Sequence, residues 1–124
     1  MKVAVIGSRN LFVADLEAYL PKDTTEVVSG GARGIDSCAR EYAQAKGIKL
    51  TEFLPEYEKY GRGAPMKRNR KIIDYAEKVI AFWDGASRGT RYVINQCFRR
   101  HRALAVYIAD ETGGWKLALR HAEC

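Results

Sequence analysis

Five short apolar, β-branched runs alternate along this chain with stretches of helical period, and turn residues bound them. Lys2-Val-Ala-Val-Ile6 stops at Gly7, Glu26-Val-Val-Ser29 at Gly30-Gly31, Ile48 to Leu54 at Pro55, Lys78 to Trp83 at Asp84, and Leu104 to Ile108 just before Asp110. Phe12, Val13, Leu16, Tyr19 and Leu20 fall at helical spacing after the first run, and Ile35, Cys38, Ala39, Tyr42 and Ala43 after the second. Further helices are expected from Lys67 to Tyr75 and from Thr90 to His101. Strands that are apolar along their whole length are buried on both faces, which requires crossover helices on both sides of a parallel sheet. The pattern therefore specifies a three-layer α/β domain with a mainly parallel five-stranded sheet.

With 124 residues, 47% of them hydrophobic and 29% charged, the chain can bury one substantial core and needs no disulfides to do so. Its longest apolar runs, such as Val79 to Trp83, fall far short of the roughly 20 residues that cross a bilayer. Met1-Lys2 leads straight into the first strand with no apolar leader or small-residue cleavage site. The cysteines, Cys38, Cys97 and Cys124, fit neither a disulfide framework nor a zinc site. A reduced, cytoplasmic protein without membrane contact or metal is expected, with Cys38 and Cys97 in the core.

Charge is uneven. Residues 1–60 carry 8 basic and 9 acidic side chains, whereas residues 61–124 carry 13 basic and 6 acidic ones. The densest cluster, Arg62, Lys67, Arg68, Arg70 and Lys71, contains no acid and points to an anionic partner or to a solvated basic helix face. Residues 55–66 have no period and carry Pro or Gly at 55, 61, 63 and 65, which reads as a long loop able to close over a ligand. The domain is expected to span residues 1–109, with the tail as part of the same domain or of a dimer contact. In the tail, 110–124, Gly113-Gly114 breaks the chain, and Trp115-Lys-Leu-Ala-Leu119 reads as a short helix or a contact with a partner chain.

In a parallel sheet the C-terminal ends of all strands share one edge, so the loops after the first, second and fourth strands meet. These are the glycine-rich ones. Gly7-Ser8-Arg9-Asn10 offers a tight turn, a hydroxyl and a guanidinium. Ser29-Gly30-Gly31-Ala32-Arg33-Gly34-Ile35-Asp36 lets a ligand approach main-chain N–H groups where a helix dipole points outward. Asp84-Gly85-Ala86-Ser87-Arg88-Gly89-Thr90 repeats that chemistry at another helix start. Neither a G-x-G-x-x-G fingerprint nor a Walker motif is present. Tyr57 and Tyr60 are candidates for stacking on a base, and Trp83 for either stacking or the core.

Taken together, Val3-Ala-Val-Ile-Gly-Ser-Arg9, the Ser29 to Asp36 run, Arg68-Asn-Arg-Lys-Ile-Ile73 and Gly85-Ala-Ser-Arg-Gly-Thr90 resemble the SLOG superfamily, which includes the Smf/DprA and LOG proteins. The likeness is greatest to its stand-alone YspA-like branch and covers roughly residues 1–109. It implies a Rossmann-like sheet, a homodimer, and a nucleotide or nucleotide-derived ligand, with no other cofactor. By motif match, Gly7, Ser8 and Arg9 would form the floor of the site. Gly30, Gly31, Arg33, Gly34 and Asp36 would form one wall, Arg70 another, and Ser87, Gly89 and Thr90 the phosphate end. Arg70 matches a catalytic arginine of LOG enzymes, phosphoribohydrolases that cleave the N-glycosidic bond of nucleoside monophosphates. Val93 stands where those enzymes carry a glutamate, which leaves Asp36 or Asp84 as the available carboxylates. The functions implied are a nucleotide sensor or processing protein, with an N-glycosidic hydrolase or DprA-like single-stranded DNA binding as alternatives.

Overall fold

A computed structural model describes residues 1–122. The strands are β1 (Lys2–Gly7), β2 (Glu26–Ser29), β3 (Lys49–Glu52), β4 (Lys78–Trp83), β5 (Ala103–Ala109) and β6 (Trp115–His121). The helices are α1 (Ile35–Lys46), a single turn α2 (Tyr57–Tyr60), α3 (Ala64–Tyr75) and α4 (Arg88–Arg99). Strand order is β3-β2-β1-β4-β5-β6. The first five strands run parallel and β6 lies antiparallel to β5.

Helices cover both faces, as apolar strands require. Ile72 and Ile73 of α3 and Val93, Ile94 and Cys97 of α4 pack on Ala4, Val28 and Val79. On the opposite face Ile35, Ala39 and Ala43 of α1 pack on Val3, Val5 and Val27, with Val13, Leu16 and Leu20 beside them. Phe82 anchors that second layer. It is fully buried, stacked on Tyr107 at 5.6 Å and met edge-on by Tyr19 and Trp115.

Three expectations are corrected. The sheet has six strands, because the tail forms no short helix but the strand β6, and so is part of the same domain, one of the two places expected for it. Asp110 turns the chain back by accepting hydrogen bonds from the Thr112 and Gly114 amides at 2.9 and 2.8 Å, and Gly113 takes a φ of 84°. The expected helix over Phe12 to Leu20 is only a 3-10 turn at Leu16–Tyr19. Tertiary packing holds the segment there without a full helix: Val13, Leu16 and Leu20 are buried against α1 and the sheet, and the Val13 amide donates to Cys38 Sγ at 3.3 Å. The loop expected over 55–66 contains α2 and a 3-10 turn at Gly61–Gly63, and α3 begins at Ala64 with Pro65 in its first turn, where a missing N–H is harmless.

Removing the Phe82 ring should therefore cost far more than trimming the sheet edge. Phe82→Ala is expected to lose about 3–5 kcal/mol in urea unfolding, whereas Leu119→Ala on β6, 37% exposed, should lose under about 1 kcal/mol.

Candidate functional site

Strand order reverses between β1 and β4, and open α/β sheets leave a crevice at such a point beyond the carboxyl ends of the strands. A cavity of about 400 Å³ lies there, lined by Ser8, Asp36, Arg68, Asp84 and Thr90 among others. The Ser8 amide donates to the Phe82 carbonyl at 3.2 Å, carrying the β1–β4 pairing one residue past the strand. This seats the Ser8 side chain between the two strand ends. Ser8 is only 3% exposed, and its hydroxyl lies near enough to Asp84 to favour the ionised carboxylate without reaching hydrogen-bond geometry to any described group.

The β2–α1 loop closes against β1 through Gly34. Its φ of 75° is left-handed, and a Cβ there would run into the Arg9 backbone, so only glycine permits this contact. At Gly30 the neighbour is Arg68, whose Nη1 donates to the Gly30 carbonyl at 2.8 Å and would sit 2.5 Å from an added Cβ. Arg68 is held further by Nε donating to Asn69 Oδ1 at 2.9 Å.

Two carboxylates line the cavity, and their surroundings shift their pKa values in opposite directions. Asp84 accepts from the Ser87 and Ala86 amides at 2.7 and 2.8 Å, and these bonds hold its pKa below the usual aspartate range. Asp36, in the first turn of α1, is 9% exposed and accepts from the Ala32 amide at 3.0 Å. Burial pushes its pKa up, against the pull of that amide, Arg68 and Arg9. The first turn of α4 carries no acid. Thr90 there is 2% exposed, with Oγ1 3.4 Å from Ser87 Oγ, and the Ser87 carbonyl accepts from Trp83 Nε1 at 3.1 Å.

Of the residues expected at the site, Gly7, Ser8, Arg9, Gly30, Asp36, Asp84, Ser87, Gly89 and Thr90 line the cavity. Ser29, Gly31, Arg33, Gly34, Gly85, Arg70 and Arg88 do not. Ser29 Oγ accepts from the Gly31 amide at 3.2 Å, and Gly31 and Arg33 border a shallower groove beside the cavity, shared with Arg9. Arg70 is exposed and donates to the Tyr92 hydroxyl at 2.8 Å. Arg68 takes the place expected for it. The signal lay in the helix period: Ile72 and Ile73 form the buried stripe of α3, and stepping back four residues gives Arg68 and Asn69, both in the lining. Asn10, the last residue of the first glycine loop, is also in the lining, as is Pro65, which lies outside the motifs.

The remaining candidates are engaged elsewhere. Lys59, Lys67 and Lys71 surround the Tyr60 ring at 5.2, 5.6 and 6.0 Å, and Lys71 pairs with Glu56 at 3.0 Å. Neither Tyr57 nor Tyr60 lines the cavity. Val93 is fully buried between α4 and the sheet. Among the described residues no group of three or more potential metal ligands occurs, and no helix is long and apolar enough to cross a membrane. No known protein family, curated protein or solved structure matches the chain.

Gly34→Ala is expected to destabilise the fold by more than about 1 kcal/mol, measured by urea unfolding. Asp36 gives a pH signature. Its raised pKa means that the unfolded chain ionises this carboxyl at lower pH than the folded protein does, so stability falls as pH climbs from the ordinary aspartate range to the folded value. Asp36→Asn should melt above the native protein near neutral pH, with the difference shrinking as the solution is acidified. A constant offset in the melts would contradict a desolvated carboxylate.

Proposed function

We propose that the protein binds a phosphate-bearing small molecule, a nucleotide or nucleotide derivative, in the cavity between the ends of β1 and β4, with the phosphate at the amino end of α4. The observation that carries this reading is the Ser8 hydroxyl: buried, near the Asp84 carboxylate but without hydrogen-bond geometry to any described group, and lining the cavity beside the start of α4. A buried donor left unpaired costs about 1–3 kcal/mol, and a phosphate oxygen is the acceptor that helix amides at the same place also attract. Thr90 and Ser87 supply further hydroxyls. The resemblance of the glycine loops to the SLOG superfamily supports a nucleotide over a simple phosphate ester.

For an N-glycosidic hydrolase, the carboxylates at hand are Asp84, occupied by two backbone amides, and Asp36. Binding is therefore the primary function proposed, and turnover the secondary one. Calorimetric titration with adenosine and uridine 5′-monophosphates should give saturable binding to the native protein. Ser8→Ala and Thr90→Val should each weaken it by roughly ten- to a hundredfold, the value of one lost hydrogen bond to a charged oxygen. Affinities unchanged in both variants would place the phosphate elsewhere, and chromatography of the same mixtures would reveal any released base.

A further inference from the structure

Residues 54–63 run from β3 to α3 without placing a side chain in the core, and no residue of α2 or of the 3-10 turn after it is buried. Both flanks are fixed. The Phe53 amide donates to the Ser29 carbonyl at 2.9 Å, its ring meets Tyr75 edge-on at 5.6 Å, and Ala64 is fully buried. A segment with firm ends and no buried contacts of its own lies at the low end of local stability.

What ties this segment to α3 is solvent-exposed. Glu56 pairs with Lys71 at 3.0 Å with both side chains near half exposure, and the Tyr60 ring lies among Lys59, Lys67 and Lys71. Exposed ion pairs contribute little and release readily. Lys67 and Lys71, one turn apart, form one stripe of α3, and Arg68 and Ile72, both in the cavity lining, form the next, about 100° further round the helix. The segment therefore rests beside the cavity mouth, and two large side chains there are left uncovered. Leu54 is 62% exposed, with Cδ2 only 2.5 Å from where a Cβ at Gly31 would stand. Tyr57 is 55% exposed and close enough to Arg68 to act on its charge.

We infer that residues 54–63 form a lid, which swings from the Lys67 and Lys71 stripe onto the Arg68 and Ile72 stripe when the cavity fills and lays Tyr57 over the ligand. This rests on the ligand-binding cavity proposed above and adds to it a closing step. Gly61 supplies the pivot on the α3 side: its φ of 56° is one that glycine adopts freely, and nothing lies within 4 Å of where a Cβ would be. Closure exchanges weak, exposed ties for burial of Leu54 and Tyr57, so the ligand needs to shift the balance only slightly.

The test combines limited trypsin digestion, read by mass spectrometry, with calorimetric titration of adenosine 5′-monophosphate and of inorganic phosphate. In the free protein, cuts after Lys59 and Arg62 should come well before any cut within α1 or α4. Adenosine 5′-monophosphate at about ten times its dissociation constant should slow those two cuts about tenfold, because cleavage needs the open lid. Inorganic phosphate, too small to reach Tyr57, should bind without slowing them. Tyr57→Ala should weaken the nucleotide about tenfold, as expected for an aromatic ring covering a base, and leave phosphate affinity and the melting temperature of the free protein unchanged. Tyr57→Phe keeps the ring and should bind the nucleotide like the native protein. Should Tyr57→Ala fail to fold, the digestion of native protein carries the test. A segment cut no faster than α1 in the free protein, cuts that saturating nucleotide leaves unchanged, or equal nucleotide affinity in Tyr57→Ala would each overturn the lid and leave the cavity reading standing. No binding of either compound to native protein would overturn both.

Discussion

β1 is paired on both edges, with β2 along Lys2 to Ala4 and with β4 along Val3 to Gly7, and Val3, Ala4 and Val5 are fully buried. Everything at the site depends on that double pairing. Parallel neighbours deliver their connecting loops to the same edge, and because the chain leaves β1 toward β2 and later returns on the far side as β4, a gap opens between the two departures. The bond from the Ser8 amide to the Phe82 carbonyl fixes the width of that gap at its base. Gly34, pressed against the Arg9 backbone, fixes the wall. The cavity is therefore set by main-chain geometry of the sheet, and side chains only decide its chemistry.

That chemistry differs at the two helices that reach the cavity, although both begin after glycine-rich turns. A helix start attracts anions through its free N–H groups, and a carboxylate in the first turn spends that attraction internally. In α1 this is Asp36, bonded to the Ala32 amide. In α4 the corresponding carboxylate is Asp84, but it lies ahead of the helix and binds the Ala86 and Ser87 amides of the turn, leaving the first turn itself, from Arg88, free of acid. Similar composition in two loops thus produces two different ends, and the difference rests on where one aspartate falls relative to the helix start.

The alternation of runs legible in the sequence located five strands and three of the main helices, because short apolar runs and 3.6-residue stripes report burial directly. It missed β6. The apolar residues Trp115, Leu117 and Leu119 alternate there as a strand requires, but the preceding Gly113-Gly114 drew attention to chain breakage instead of to a hairpin. The helix expected after β1 failed for a different reason: its spacing was correct for burial, and Val13, Leu16 and Leu20 are buried, but they pack against α1 and the sheet from an irregular segment with a single 3-10 turn. Motif reading found the three loops but not the orientation of α3. Arg70 stands two residues, or roughly 200° of helix turn, from Arg68, and only the position of the buried stripe tells which of them faces the cavity.

A second buried carboxylate shows what separates the cavity from ordinary packing. Glu26, at the start of β2, is 8% exposed, much like Asp36. Burial pushes its pKa up as well, but hydrogen bonds from Thr51 at 2.6 Å and Tyr75 at 2.5 Å, with Lys49 and Lys2 nearby, more than reverse that push and leave it below the ordinary glutamate value. Glu26 is thus saturated by its own protein and stabilises the edge of the sheet remote from the cavity. Asp36 receives one amide and lies near Arg68 and Arg9, but burial, with the Glu52 carboxylate also nearby, prevails and leaves its pKa raised. Equal burial with unequal satisfaction marks the difference between a structural and a receptive carboxylate. Asp36 and Ser8, both in the cavity lining, thus have fewer hydrogen bonds within the protein than Glu26 has, and the cavity differs from ordinary packing in that respect.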